Sequence, residues 1–278
     1  MRELRVAIPG LELAGLAWGQ PDAPPLLAIH GWLDNAASFA RIAPRLAERF
    51  HVIALDLPGH GHSQHLPPGA VYQHVDYVRA MLAAADALAL PRFHLLGHSL
   101  GAGVATMLAI AAPERVRHLA LIEGLGPLGD DGSRTLERFR EAMATGHSGQ
   151  RPLRVFGSVD DATAVRATVS GLDPALARPI VERGLREVIG GYSWRSDPRL
   201  SKPTAIRLAE TQVMSLLLGL AAPTSLLLAQ PHAPYLEPDA LQVRIDCVAD
   251  ITVTPMNGGH HLQLEHPDAV AGWLLAAL

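Results

Sequence analysis

The chain has 278 residues, 49% of them hydrophobic and 18% charged, with a formal net charge of −4. That is enough for one large domain with a sizeable core, and a mild charge without long basic or acidic runs argues against a nucleic-acid or membrane-surface partner. The single cysteine, Cys247, excludes an internal disulfide. Glu3 and Arg5 break up the N-terminus and no apolar run reaches membrane length, so the expected setting is the cytoplasm.

Leu4–Ile8 and Leu11–Trp18, separated by Pro9-Gly10, read as a hairpin. Leu26–Ile29 is a short continuous apolar run, the pattern of a strand buried on both faces. It ends in His30-Gly31-Trp32, and Ser38 is then expected to cap a helix through Ala47, with Phe39, Ile42, Ala43 and Leu46 on its apolar side. Val52–Leu55 repeats the buried-strand pattern. His74–Leu90 has helical spacing and stops before Pro91. Another strand starts at Phe93, a helix runs to about Ala112, and Leu119–Ile122 is a further strand ending at Glu123-Gly124. Strands alternating with helices predict an α/β fold, a mostly parallel sheet covered on both faces.

The strand signal fades over residues 127–222, where short helical stretches are broken at Pro152, Gly171, Pro174, Gly190-Gly191 and Pro198. This reads as a helical lid inserted between two parts of one core, residues 1–126 and 223–278. Thr224–Ala229 and Ile251–Met256 restore the strand pattern, and a helix over Leu262–Leu278 closes the chain.

The most informative stretch is Gly97-His98-Ser99-Leu100-Gly101, a G-x-S-x-G sequence with an apolar strand before it and a small-residue helix after it. Its simplest alternative is a plain Gly-rich turn. The strand–turn–helix context is what a nucleophile elbow requires, with the Ser99 hydroxyl lifted out of a strained turn in front of helix amides. A serine needs a base, and a base needs orienting. Of the 14 histidines, His260 follows a strand end and the Gly258-Gly259 pair and precedes the last helix. That places it at the carboxyl edge of the sheet, as Ser99 is. The alternative is that His260 and His261 simply open the helix. His261 is expected to pack beside or flank the site.

These segments together, Leu-Ala-Ile-His-Gly-Trp, Asp-Leu-Pro-Gly-His-Gly-His-Ser, Gly-His-Ser-Leu-Gly and Gly-Gly-His-His-Leu-Gln-Leu-Glu-His-Pro, resemble the α/β-hydrolase superfamily. His-Gly-Trp-Leu-Asp-Asn-Ala-Ala-Ser-Phe, Leu-Ile-Glu-Gly-Leu-Gly-Pro and Tyr-Ser-Trp-Arg-Ser-Asp-Pro-Arg-Leu are similar to the serine hydrolase-like proteins within it. The resemblance implies an α/β-hydrolase fold with an inserted lid and a catalytic triad. It also implies an oxyanion hole from the backbone amides of Leu100 and Trp32.

The superfamily commonly places the triad acid after the strand that follows the lid. Here that turn reads Gln230-Pro231-His232-Ala233-Pro234, with no carboxylate. Glu123, at the end of the neighbouring strand, is the expected replacement, with Glu237 and Asp250 in reserve. Otherwise Glu123 is a solvated strand end or a lid-hinge partner. Asp34 either holds the loop after His30 or is solvated.

The expectation is a serine esterase acting on a small-molecule ester or thioester with no cofactor. His98, Tyr192 and His261 are expected around the substrate, Trp194 either walls the pocket or packs within the lid, and Arg195 is expected to pair with Asp197. Lactone, amide or C–C bond hydrolysis would use the same groups. Two readings from other classes are a non-catalytic binding scaffold and a metallohydrolase at His60, His62 and His65, whose H-x-H-x-x-H spacing suits a metal but is followed by no further ligand pattern.

Overall fold

The computed structural model describes residues 1–147, 154–231 and 237–278, with the side chains of 145–147 left aside. The core sheet is built from β1 (Arg2–Ile8), β2 (Leu11–Trp18), β3 (Pro25–Ile29), β4 (His51–Leu55), β5 (Phe93–His98) and β6 (Val116–Ile122). The segment that follows contributes β7 (Val155–Phe156), β8 (Leu185–Val188) and β9 (Gly191–Trp194), and the core then resumes with β10 (Thr224–Gln230) and β11 (Ile251–Asn257).

The eight core strands lie in the order β1-β2-β4-β3-β5-β6-β10-β11, with β1 and β2 forming an antiparallel hairpin and β3 to β6, β10 and β11 running parallel. The continuous apolar runs divide between two cores because successive side chains leave opposite faces. Leu27, Ile29, Ile53, Leu55, Leu95, Leu121 and Leu226 pack with the helices His74–Ala87 and Leu100–Ala111. Leu26, Ala28, Val52, Ala54, Leu96, Ile122 and Leu227 pack with Phe39 and the helix Pro267–Ala277 on the other face. No helix among the described residues is long and apolar enough to cross a membrane.

Two sequence expectations need correction and a third needs an addition. Ser38 does not cap a helix through Ala47. Asn35 caps a 3-10 turn, Ala36–Phe39, through its side chain, and a separate one-turn helix, Ala43–Leu46, begins beside Pro44. Pro44 lacks the N–H that a continuous helix would use. The described residues of 127–222 add a small sheet to the expected helices. The helices Thr135–His147, Val159–Ser170, Pro174–Gly184 and Glu210–Leu217 are joined by a three-stranded antiparallel sheet, β7-β9-β8. Strands of two to four residues are too short to show a period-two pattern. Finally, Arg195 does not pair with Asp197: its Nε donates to Leu185 O, and Arg199 takes the carboxylate instead. The break expected at Pro152 and the turn over His232–Pro234 lie outside the described residues.

Candidate active site

Strand register brings the functional side chains to one rim. His98 pairs with Ile122 across β5 and β6, so Ser99 and Glu123 are each the first residue beyond the paired ends. Both have a left-handed backbone, with φ of 55°, a conformation that costs a side-chain-bearing residue on the order of 1–3 kcal/mol and needs outside support. For Ser99 the support comes from the close approach of strand and helix. A Cβ on Gly97 would lie 2.5 Å from Gly101 O, and one on Gly101 would overlap Ile29 O. Glycine at both positions lets the chain turn sharply, and Ser99 N donates to Ile122 O at 3.0 Å to hold it there. Ser99 is half-buried and stands at the N-cap of the helix Leu100–Ala111, among that helix's first amides.

Glu123 is fully buried. Its Oε1 accepts the Ala229 amide at 2.6 Å, and its Oε2 lies 3.3 Å from Nδ1 of His260. The carboxylate thus reaches across β10 to the loop that follows β11. Burial pushes the His260 imidazole below its usual pKa and His98 adds to this, while the bond to Glu123 works in the opposite direction. The neutral form of His260, the one that accepts a proton, is thereby favoured. Its loop is held by Glu265, which accepts the amides of Gly259 at 2.6 Å and His261 at 3.3 Å.

The reserve carboxylates lie elsewhere. Asp250 precedes β11 at the amino end of the sheet, where its carbonyl accepts Thr224 N at 3.0 Å. Glu237 is exposed at the start of the helix Pro238–Asp246.

The loop after β3 passes against the elbow, since a Cβ on Gly31 would stand 3.3 Å from Ser99 Cβ. His30 shapes that loop. Its Nε2 accepts Leu57 N at 3.0 Å, so its Nδ1 carries the hydrogen given to Gly31 O at 2.7 Å. The Trp32 indole does not hang free over the site, because its Nε1 donates to Leu200 O at 3.1 Å.

Asp34 is buried. Its carboxylate accepts from Ser38 Oγ and pairs with Arg166, and it faces His261 Nε2 at 3.4 Å and His98 Nδ1 at 3.7 Å. Burial favours its neutral form, yet His261, His98 and Arg166 outweigh that and hold it well below the usual carboxylate range. Asp34, His98 and His261 are the one grouping of metal-ligand type among the described residues. The Arg166 guanidinium already supplies a positive charge there.

The four residues weighed for the substrate pocket are placed as follows. His98 has no exposed surface and donates through Nε2 to His260 O at 2.8 Å, so it stands behind the site. His261 packs on Asp34. Trp194 packs edge-on against Phe156 at 5.4 Å, in an apolar cluster of residues 156–194. Tyr192 lines a cleft with Glu182, Arg186 and Arg195. Both residues belong to the small sheet, whose strands the sequence pattern did not reveal.

The three histidines of the metal-like spacing diverge. His60 is buried against His30 and Tyr77, and burial lowers its pKa to about 3. His65 bonds Arg195 O and faces Asp197, while His62 N donates to Asp56.

The sequence pattern of the α/β hydrolase fold matches residues 24–152. A serine hydrolase-like protein of Danio rerio is 30% identical over 280 residues, spanning 97% of this chain and 86% of that protein. Among solved structures, the hypothetical protein PA1622 from Pseudomonas aeruginosa PAO1 matches with a TM-score of 0.93 at 37% identity, over 99% of each chain. A thioesterase domain from the curacin biosynthetic pathway matches with a TM-score of 0.86 at 24% identity, over 99% of both chains, a likeness of fold alone. Elbow, strand order and relatives agree, and the chain belongs to the α/β-hydrolase superfamily, among the serine hydrolase-like proteins.

Proposed function

We propose that this protein is a serine hydrolase that cleaves carboxylic esters or thioesters through an acyl-enzyme, with Ser99, His260 and Glu123 as its triad. One observation carries the reading: the strained Ser99 turn lies at the same rim as an imidazole held 3.3 Å from a buried carboxylate. In this scheme Ser99 Oγ attacks the acyl carbon as His260 takes its proton. The carbon–oxygen or carbon–sulfur bond then breaks, and His260 returns the proton to the leaving group. Water repeats the cycle on the acyl-enzyme and releases the acid. Glu123 sets the imidazole tautomer and stabilises the imidazolium. The amides of Leu100 and Trp32 face the developing oxyanion, where backbone donors matter more than side-chain type.

Residues 127–222 act in this reading as a lid that shapes the substrate pocket. Supporting it, Trp32, Asp34 and Asn35 of the loop beside the elbow bond Leu200 O, Arg166 and Ile180 O respectively.

The test is turnover of a chain-length panel of p-nitrophenyl esters and matching acyl thioesters by wild type, Ser99→Ala and Glu123→Gln. Expected is measurable wild-type hydrolysis that Ser99→Ala removes. Wild-type-like turnover in Ser99→Ala refutes the nucleophile assignment. Absence of turnover on every substrate favours the binding-scaffold reading.

A further inference from the structure

We infer that His98, with the Asp34 carboxylate beside it, is a positioning residue that fixes the loop of His260 against the nucleophile's turn. The inference rests on the reading of His260 as the general base.

His98 precedes Ser99 in the chain, yet its Nε2 bonds the carbonyl of a residue 162 positions away, His260 itself, at 2.8 Å. A carbonyl only accepts, so Nε2 carries a hydrogen directed at His260 O. One side chain thereby ties the nucleophile's strand end to the base's loop. The ring has little freedom to do otherwise. It lies 4.8 Å from the His260 ring and 5.0 Å from the His261 ring, and its Nδ1 is buried and points toward Asp34. Gly31 closes the remaining side, where a Cβ would come within 3.1 Å of Nδ1.

Asp34 extends the same arrangement. Its carboxylate faces His98, just before the nucleophile, and His261, just after the base, while Arg166 and Ser38 hold it in place. Ser99 and His260 thus gain a shared buried reference behind them, separate from Glu123. Misplacing a catalytic group by about 1 Å can cost about 10²-fold in rate, which is what such a reference prevents.

The electrostatics give a signature that packing alone lacks. Among the described residues, the groups facing His260 include Glu123 from the end of β6, His98 from the end of β5, Asp34 from the loop after β3, and the adjoining His261. His98 opposes protonation of His260, and Asp34 favours it. The base works when neutral, so activity falls as pH drops through its pKa. Removing the His98 ring moves that acid limb to higher pH, and neutralising Asp34 moves it to lower pH.

The experiment is pH-dependent kinetics on p-nitrophenyl butyrate for His98→Leu, His98→Gln and Asp34→Asn, with His260→Ala alongside. His98→Leu is expected to lose about 10²-fold in kcat with little change in KM. His98→Gln keeps a donor in reach of His260 O and is expected to recover most of that loss. Its acid limb still moves upward, because the ring is gone. Asp34→Asn is expected to move the limb downward. A His98→Leu enzyme with wild-type kcat and an unmoved limb overturns the inference. So does equal loss in the Leu and Gln variants. If His98→Leu does not fold, the opposite shifts in His98→Gln and Asp34→Asn decide, and unmoved or same-direction limbs overturn it. Wild-type turnover in His260→Ala would instead refute the base assignment, a failure separate from this one.

Discussion

Two buried carboxylates stand at the same rim of the sheet, and they are placed for different work. Asp34 is closed in by His98, His261, Ser38 and Arg166, all partly or fully buried, so its charge is spent on holding loops together. Glu123 is equally buried, but it meets an imidazole that keeps 26% of its side-chain surface exposed. If the proposed triad holds, burial of the acid does not distinguish a structural pair from a catalytic one. Exposure of the histidine does, since a base must reach a substrate arriving from solvent.

The largest expected effect bears on the exposed side of this comparison. Ser99→Ala is expected to cost about 10⁴-fold or more in kcat, measured on p-nitrophenyl esters, with the folded state intact by circular dichroism. Glu123→Gln comes next. It keeps an acceptor for Ala229 N but no longer fixes the His260 tautomer, and a loss of up to about 10⁴-fold in kcat with a small change in Tm is expected.

Asp34→Asn should reverse the balance. Removing one partner of a buried ion-pair network costs about 3–5 kcal/mol, read as a lower denaturation midpoint, with a smaller loss of turnover than Glu123→Gln shows. If the two variants lose activity and stability in the same proportion, the distinction between the carboxylates collapses.

The acid limb of kcat/KM sharpens it further. Burial depresses the His260 pKa, so its neutral, working form persists below pH 6.5 and the limb's midpoint is expected under that value. A midpoint above 6.5 would mean the charge of Glu123 dominates instead. Fold stability has its own acid dependence. His30 and His60 are buried with lowered pKa values, His60 down to about 3. The unfolded chain binds their protons first, so stability is full above about pH 6.5 and erodes as pH falls toward the folded values. The smallest effect is that of Trp32→Phe, which removes the bond to Leu200 O and is expected to cost about 1 kcal/mol by denaturant titration.

Much of this was legible from residue order because the core strands are continuous apolar runs with glycine-rich ends. Leu26–Ile29, Val52–Leu55 and Leu119–Ile122 announce a sheet buried on both faces, and Gly97 and Gly101 mark the close approach that lifts Ser99. The placement of Glu123 beside His260 depends on β10 alone lying between β6 and β11, an arrangement that residue order suggests only through the resemblance. What stayed hidden is long-range and polar. Nothing local says that Asp34 meets Arg166 or that His98 reaches His260 O, since these partners are distant in sequence. The strands β7 to β9, which carry Tyr192 and Trp194, are shorter than any period that could reveal them. Arg199, rather than the expected Arg195, takes Asp197 because a 3-10 turn, Pro198–Ser201, folds Arg199 back onto its own cap.

The central claim is tested most directly by reacting the folded protein with a fluorophosphonate across a pH series and locating the adduct by peptide mass spectrometry. The account predicts stoichiometric labelling at Ser99, with a rate that falls below an acid midpoint under pH 6.5 and that His260→Ala largely removes. Folded protein that takes up no label at Ser99, or reacts there equally fast without His260, would contradict it.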